Sequence, residues 1–446
     1  MVQETVTCRV VTPIFSRSEE LADQTDRLYE FELRPQSVRG VLHFWFRAVA
    51  PRVINICELD LSKLPSDLAK EFKDEKFKGL KYLEMLVFGS QNRKGPFGLF
   101  IQWREEDTEP IGRFGVDKKG KTVLNFSPII GKDASYPLYG LYSTKENEKF
   151  ITKFLKPGAE FKIHVFSNDS VTYEVVLSLL KLVSTISGFG AKTTKGFGEF
   201  EIVKPIFNRS QFINANNFEQ LIKEVEGKIR KFIEEKDLYK ALKLERTPSD
   251  LVEFPSLLPG KYEILTVPVQ GQSLNEVFTK LYGMRVERNG DKTRIVRNWY
   301  RELKYRLRFV GKNKTGDAVK DLVNCINGQA KEADIGPAIV GLPIVYQNLR
   351  KAGARADRIT VFPSVETTEP DVSAKRKTSV LRIIISQIQR TYQVSCLLLD
   401  SPVTQRGELE HSERNARFRL KLTLTHADLK DVLRKLNQSY HQRMRS

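Results

Sequence analysis

The run Ser187-Gly-Phe-Gly-Ala-Lys-Thr-Thr-Lys-Gly-Phe-Gly-Glu-Phe-Glu201 limits the fold of this chain more than any other stretch. It follows a strongly apolar segment, Thr172–Ile186, that reads as a helix. It opens into Gly198–Val203, which reads as a strand. Gly188, Gly190, Gly196 and Gly198 bracket Lys192 and Lys195. Glycine reaches φ > 0 without a Cβ penalty and lets backbone N–H groups approach a phosphate closely. The lysines add charge that follows a nucleic-acid backbone without reading its sequence. Direction excludes two nucleotide sites. A Rossmann fingerprint follows a strand and opens a helix, the reverse of the order here, and no GxxxxGK[ST] loop is present. A plain helix-to-strand turn with solvated lysines is the alternative reading of the same residues.

Upstream, Thr5–Phe15 alternates and is rich in Val and Ile, as a strand is. A helix is predicted over Gln36–Ala50, with Val38, Val41, Leu42, Trp45 and Val49 on one face. Arg39, His43 and Arg47, at i, i+4 and i+8, give it a basic edge. A helical stretch Asp67–Val87, a strand Gly98–Trp103, irregular insertions over 105–158 and a strand Glu160–Phe166 follow. The order β-α-(α)-β…β-α-β is the split βαβ, or ferredoxin-like, arrangement. The expected fold class is α+β, with tandem ferredoxin-like (RRM-like) domains carrying insertions. Residues 1–208 form the first domain, 209–258 a helical bridge, and 259–446 a basic C-terminal domain.

Charge supports a polyanion partner. Residues 1–259 hold 39 Lys+Arg and 36 Asp+Glu, a net of +3; residues 260–446 hold 34 and 19, a net of +15. A helix predicted near Thr293–Val310 sets Arg294, Arg297, Arg301, Lys304 and Arg308 opposite an apolar side. Between Arg285 and Lys314 there are eleven basic and three acidic residues. A solvated face mixes signs, because i,i+4 pairs help it. The loop Arg350–Arg358, with Arg355 and Arg358, and the run Ser373–Ser379 also suit phosphates, with solvated loops the alternative.

Other chemistry is weakly represented. Cys8, Cys57, Cys325 and Cys396 form no CxxC pair and have no neighbouring His, so neither a disulfide framework nor a metal site is expected, and no cofactor. No apolar run approaches membrane-helix length and the N-terminus lacks a signal pattern, so a cytoplasmic location without membrane contact is expected. No catalytic group is assigned. A metal-independent endoribonuclease using His43 or Asp26 is the rival reading, and a purely protein-binding scaffold is a third.

Several segments carry a family resemblance. Gly188–Gly198, GFGAKTTKGFG, matches the GxGxxxxxGFG hallmark of the RAMP superfamily of CRISPR-associated proteins. Phe31–Val49, FELRPQSVRGVLHFWFRAV, preceded by Thr12-Pro-Ile-Phe15, resembles the start of that superfamily's first subunit in the type III-B (Cmr) effector complex. Phe88–Phe97 is similar to its LFGS…G-P segment, and Gly341–Ile344 with Lys375–Leu381 echo a GLPI…R-ASPL pattern. Two departures stand out. Ser16–Glu20 replaces glycines after TP-F, and His43 stands where that family has Arg. The resemblance implies a non-catalytic subunit of two RRM-like domains. It implies a place near the 3′ end of the guide-bearing filament, contacting crRNA and captured target single-stranded RNA beside other RAMP subunits. Cleavage belongs to a different subunit.

Overall fold

In the computed structural model the described residues are 2–18, 26–145, 148–248, 251–289, 292–310, 317–340, 344–347, 349–354, 358–363, 379–400, 408–411 and 419–445. They form two compact units. The first comprises Met1–Val252, Ser256–Thr279 and Arg382–Leu398; the second comprises Glu253–Pro255, Lys280–Leu381 and Leu399–Ser446. A late segment, Arg382–Leu398, therefore belongs by packing to the N-terminal unit.

The first unit is built on β1 (Val2–Val10), α1 (Pro35–Val49), α2 (Lys78–Phe88), β2 (Phe97–Gln102), β3 (Glu160–Ser167), α3 (Ser170–Ile186) and β4 (Phe200–Lys204). The sheet runs β4-β1-β3-β2 with every neighbour antiparallel. That is the ferredoxin-like order. Val6, Cys8 and Val10 of β1 are buried while Arg9 between them is exposed, the period of a sheet covered on one face. Pro35 opens α1, where its missing N–H has no intrahelical partner to lose, and Val38, Leu42, Trp45, Phe46 and Val49 are buried. The Asp169 carboxylate caps α3 by accepting the Thr172 N–H at 2.8 Å. This helix is apolar nearly all round because α1, the sheet and a long helix α4 (Ala215–Glu235) all pack against it. Glu174 on α3 accepts bonds from Lys228 and Lys231 of α4, and Phe218, Leu221, Val225 and Ile229 bury the seam.

The helix expected over Asp67–Val87 is two, Ser66–Phe72 and α2. Lys73-Asp74-Glu75-Lys76 has no apolar side chain to hold the join on the core. The insertion before β3 holds the strand Lys149–Leu155, paired in parallel with Asp26–Tyr29 and antiparallel with Thr108–Pro110.

A second sheet in this unit consists of β5 (Tyr262–Gly271), β6 (Leu381–Ile388) and β7 (Thr391–Leu399), in the order β5-β7-β6, with α5 (Leu274–Tyr282) following β5. The order repeats β1-β3-β2 of the first sheet, so the ferredoxin-like pattern recurs without a fourth strand among the described residues.

In the second unit, a two-stranded hairpin, Met284–Asn289 with Lys292–Arg297, precedes the helix Trp299–Arg306. The helix expected from about residue 293 thus starts later. Thr293, Ile295 and Val296 are β-branched, and they pair as a strand. Arg294 and Arg297 therefore lie on the hairpin, and only Arg301 and Lys304 lie on that helix. The C-terminal helix His426–Arg445 packs on it, with Trp299 Nε1 donating to Asn437 Oδ1 at 2.8 Å. A five-stranded sheet, Glu332–Asp334, Arg419–Lys421, Glu408–His411, Arg358–Pro363 and Ile344–Gln347 in that order, completes the unit. Among the described residues no helix is long and apolar enough to cross a membrane.

Candidate nucleic-acid interface

The glycine loop joins α3 to β4 by folding back on itself. Phe189 N–H donates to Gly198 O at 3.0 Å, Gly198 N–H to Pro13 O at 2.9 Å, and Ala191 N–H to Phe15 O at 2.6 Å. A Cβ on Gly188 would lie 2.1 Å from Gly198 O, and one on Gly198, at φ 78, would lie 2.1 Å from Phe189 O. Gly190, at φ 82, passes as closely to Phe15 O, and Gly196, at φ 73, is pressed against Ile383 and Ile385. These glycines permit chain-on-chain approach that any side chain would block. The loop phenylalanines point inward: Phe189 stacks on Phe200 with centroids 4.6 Å apart, and Phe197 on Phe278 at 4.8 Å.

The tip is a turn closed by Lys195 N–H on Lys192 O at 2.8 Å, with Lys192 at φ 66. It lies along the edge of β6, where Ile383 N–H donates to Thr194 O at 3.2 Å and Lys195 pairs in parallel with Ile383. Lys192 Nζ donates to Tyr139 O at 2.7 Å. Both lysines are part-exposed.

Behind the loop lies a buried cluster that sequence reasoning missed. Glu199 is fully buried, and Arg209 and Arg382 nearly so. Arg209 donates to Glu199 Oε2 at 2.6 Å and to Phe200 O at 2.8 Å. Arg382 donates to Ser187 Oγ at 3.1 Å and lies 5.0 Å from the Trp45 ring centre. Burial pushes the Glu199 carboxyl up to about 8 against the pull of Arg209 and Arg382. Burial likewise lowers Arg382 to about 10. The only signal in the sequence was an acid inside a basic glycine run; Arg382 gave none, because it meets the loop from 195 residues away.

The three α1 candidates are placed together along one helix edge, each with protein partners. Arg39 donates to Phe88 O at 2.7 Å and Phe97 O at 2.6 Å, and lies over the Phe97 ring. Arg47 makes a two-pronged bond to Glu84, at 2.7 and 2.9 Å. His43 stacks on Phe88 at 4.7 Å with Nε2 3.3 Å from Glu84 Oε1. Burial raises the Glu84 carboxyl, and Arg47 and His43 outweigh it and hold it below its usual range.

In the second unit, Arg297 lies over the Tyr305 ring at 4.0 Å from its centre. Arg308 lies 5.5 Å from the same centre and binds Asp317, its Nε 2.7 Å from Oδ1. Arg301 Nε donates to Tyr282 O. Lys304 is half-buried on the same helix. Arg294 and Arg358 lie on strands, with their side chains outside the described residues. Arg355, Asp23, Gly341–Pro343 and Ser373–Thr378 also lie outside them. Among the described residues no group of three His, Cys, Asp or Glu side chains is placed to hold a metal ion.

Residues 7–201, which span the first sheet, α1, α3 and the glycine loop, match the sequence model of the RAMP superfamily. This part of the chain is similar to the RAMP superfamily. A related protein is the CRISPR system Cmr subunit Cmr1-2 of Pyrococcus furiosus, 23% identical over 201 residues that cover 43% of this chain and 90% of that protein. Among solved structures, the crystal structure of Cmr1 from Pyrococcus furiosus in its apo form is similar to this chain. It has a TM-score of 0.49 and 14% identity, over 98% of this chain and 97% of that one. A cryo-EM structure of the type III-B Cmr-beta complex bound to cognate target RNA and AMPPnP, in the presence of ssDNA, contains a chain with TM-score 0.44 and 11% identity. Coverage is 98% of both chains. The glycine loop lies within the matched residues, and its backbone joins Pro13 and Phe15 near their start to Gly198 and Ala191 near their end.

Proposed function

We propose that this chain is a non-catalytic, RNA-binding subunit of a type III-B CRISPR effector ribonucleoprotein. It contacts the crRNA 3′ region, captured target RNA or both, beside other RAMP subunits in the cytoplasm. The observation that carries the reading is the sequence match to a Cmr subunit along 90% of that protein's length. The net charge of +15 on residues 260–446 supports a polyanion as the partner. His43, the candidate acid or base of a nuclease, is packed between Phe88 and Glu84. In this reading the RAMP domain supplies the frame, with Lys192 and Lys195 at the loop tip as its phosphate contacts. The second unit supplies most of the charge.

The test is titration of the full chain with unstructured single-stranded RNA at two salt concentrations. Each phosphate contact contributes about −0.7 to the slope of log affinity on log salt, so four contacts predict a roughly fifty-fold loss between 50 and 200 mM. An affinity independent of salt overturns the RNA reading. Cleavage of labelled target RNA that disappears in His43→Ala overturns the non-catalytic part.

A further inference from the structure

The hairpin of Met284–Asn289 and Lys292–Arg297 is a sheet of two strands with no third among the described residues. Such a ribbon is marginal in water unless something covers a face. Its register sets Val286 opposite Ile295 and Met284 opposite Arg297, so these four residues share a face. Met284, Val286 and Ile295 are 48%, 55% and 47% exposed. The strip continues beyond the ribbon. The Arg297 guanidinium lies 4.0 Å from the Tyr305 ring centre, and Tyr305 meets Phe309 edge-on at 5.0 Å, itself 47% exposed. Single exposed apolar residues need no explanation; a connected strip of them marks a contact surface.

Charge says what covers it. The strip runs through a segment with eleven basic and three acidic residues between Arg285 and Lys314. An apolar protein surface or a lipid tail would bury the strip and leave that charge unanswered. A single strand of RNA answers both, because its bases are apolar plates on a chain of phosphates. Basic arms that carry apolar side chains hold nucleic acid in this way, and arginine planes and aromatic rings accept any base.

We propose that this face is a base-stacking subsite for single-stranded RNA. Unstacked bases lie against Val286, Ile295 and the Arg297–Tyr305 stack, and their phosphates lie against the surrounding lysines and arginines. The assignment rests on the RNA-binding reading above and adds where the bases go. It carries no base identity, since no hydrogen-bonding group is required of the strip.

The test uses the full chain, a short unstructured RNA, and an abasic ribose-phosphate oligomer of the same length. In V286S/I295S both changes are on exposed positions, so the fold is kept, and thermal unfolding checks this. The expected result is a roughly ten-fold loss of affinity for the RNA, with affinity for the abasic oligomer and the salt slope unchanged. Tyr305→Ala acts in the same direction. Equal loss on both oligomers, or no loss on the RNA, overturns the subsite. So does self-association of the parent that is lost in the double variant with RNA affinity intact, which would assign the face to a protein partner. If the unaltered protein binds neither oligomer, the RNA-binding reading itself fails, a result separable from failure of the subsite alone.

Discussion

The Gly188–Gly198 loop lies with its backbone against Phe15, Phe189 and the edge of β6, and its aromatic rings are buried. The Met284–Arg297 hairpin has no sheet neighbour among the described residues and holds Met284, Val286 and Ile295 in water. Both segments are basic and turn-rich in the sequence. In the first, the unusual residues are explained by contacts inside the protein. In the second, the exposed apolar strip is not, and the sequence between Arg285 and Lys314 stays basic although Arg285, Arg306 and Arg308 have acidic partners. Glycine spacing reports how closely chains approach; unbalanced charge beside exposed apolar area reports a partner.

The largest expected effect tests the interlocked side of that contrast. Arg209→Met removes the donors to Glu199 and to the Phe200 carbonyl inside a closed core. It is expected to cost roughly 3–5 kcal/mol in urea unfolding. The exposed pair V286S/I295S is expected to stay within about 0.5 kcal/mol of the parent. A comparable cost at both sites would erase the distinction.

Gly198→Ala comes next. It places a Cβ 2.1 Å from Phe189 O at φ 78, and a loss of about 2–4 kcal/mol is expected by the same measurement. Gly40 is the control: it is exposed in α1 with nothing within 4 Å of an added Cβ. Gly40→Ala is expected to stabilise by about 1 kcal/mol.

Glu199 gives the contrast a pH signature. Its folded-state value, about 8, exceeds the ordinary 4.5, so between these values the folded chain holds a proton that the unfolded chain has released. This contribution is complete below the lower value and is lost as pH rises through the higher one. Stability followed from pH 6 to 9 is therefore expected to fall more steeply in the parent than in Glu199→Gln. Equal slopes would remove Glu199 from the account.

The smallest effect belongs to the open side. Arg285, whose side chain is 74% exposed, tests it: Arg285→Gln is expected to leave stability unchanged and to reduce the magnitude of the RNA salt slope by about 0.7, measured by titration at several salt concentrations. An unchanged slope would place the RNA path away from the hairpin.

Much of the first unit was legible because its periods are clean. Val6, Cys8 and Val10 alternate, and α1 carries its apolar residues at helical spacing. Arg294, Arg297 and Arg301 misled because i, i+3 and i+7 spacing of basic residues fits a helix, while the β-branched residues between the first two favour a strand. Lys192 and Lys195 were legible as a loop tip; their pairing with β6 was not, since Ile383 lies nearly two hundred residues on and no local pattern encodes such a contact. Glu199 stands between Gly198 and Phe200 in the sequence, and its buried partners Arg209 and Arg382 become its neighbours only on folding.

The membership of Arg382–Leu398 in the first unit also sets an order of events during synthesis. When the glycine loop leaves the ribosome, the strand that will lie against Thr194 and the arginine that will reach Ser187 have not been made. At roughly 5–20 residues per second the wait is on the order of ten to forty seconds. Until then the Thr194 carbonyl and the Ser187 hydroxyl lack the partners that the late segment brings, and a transcript cut short before codon 382 would release a chain without them.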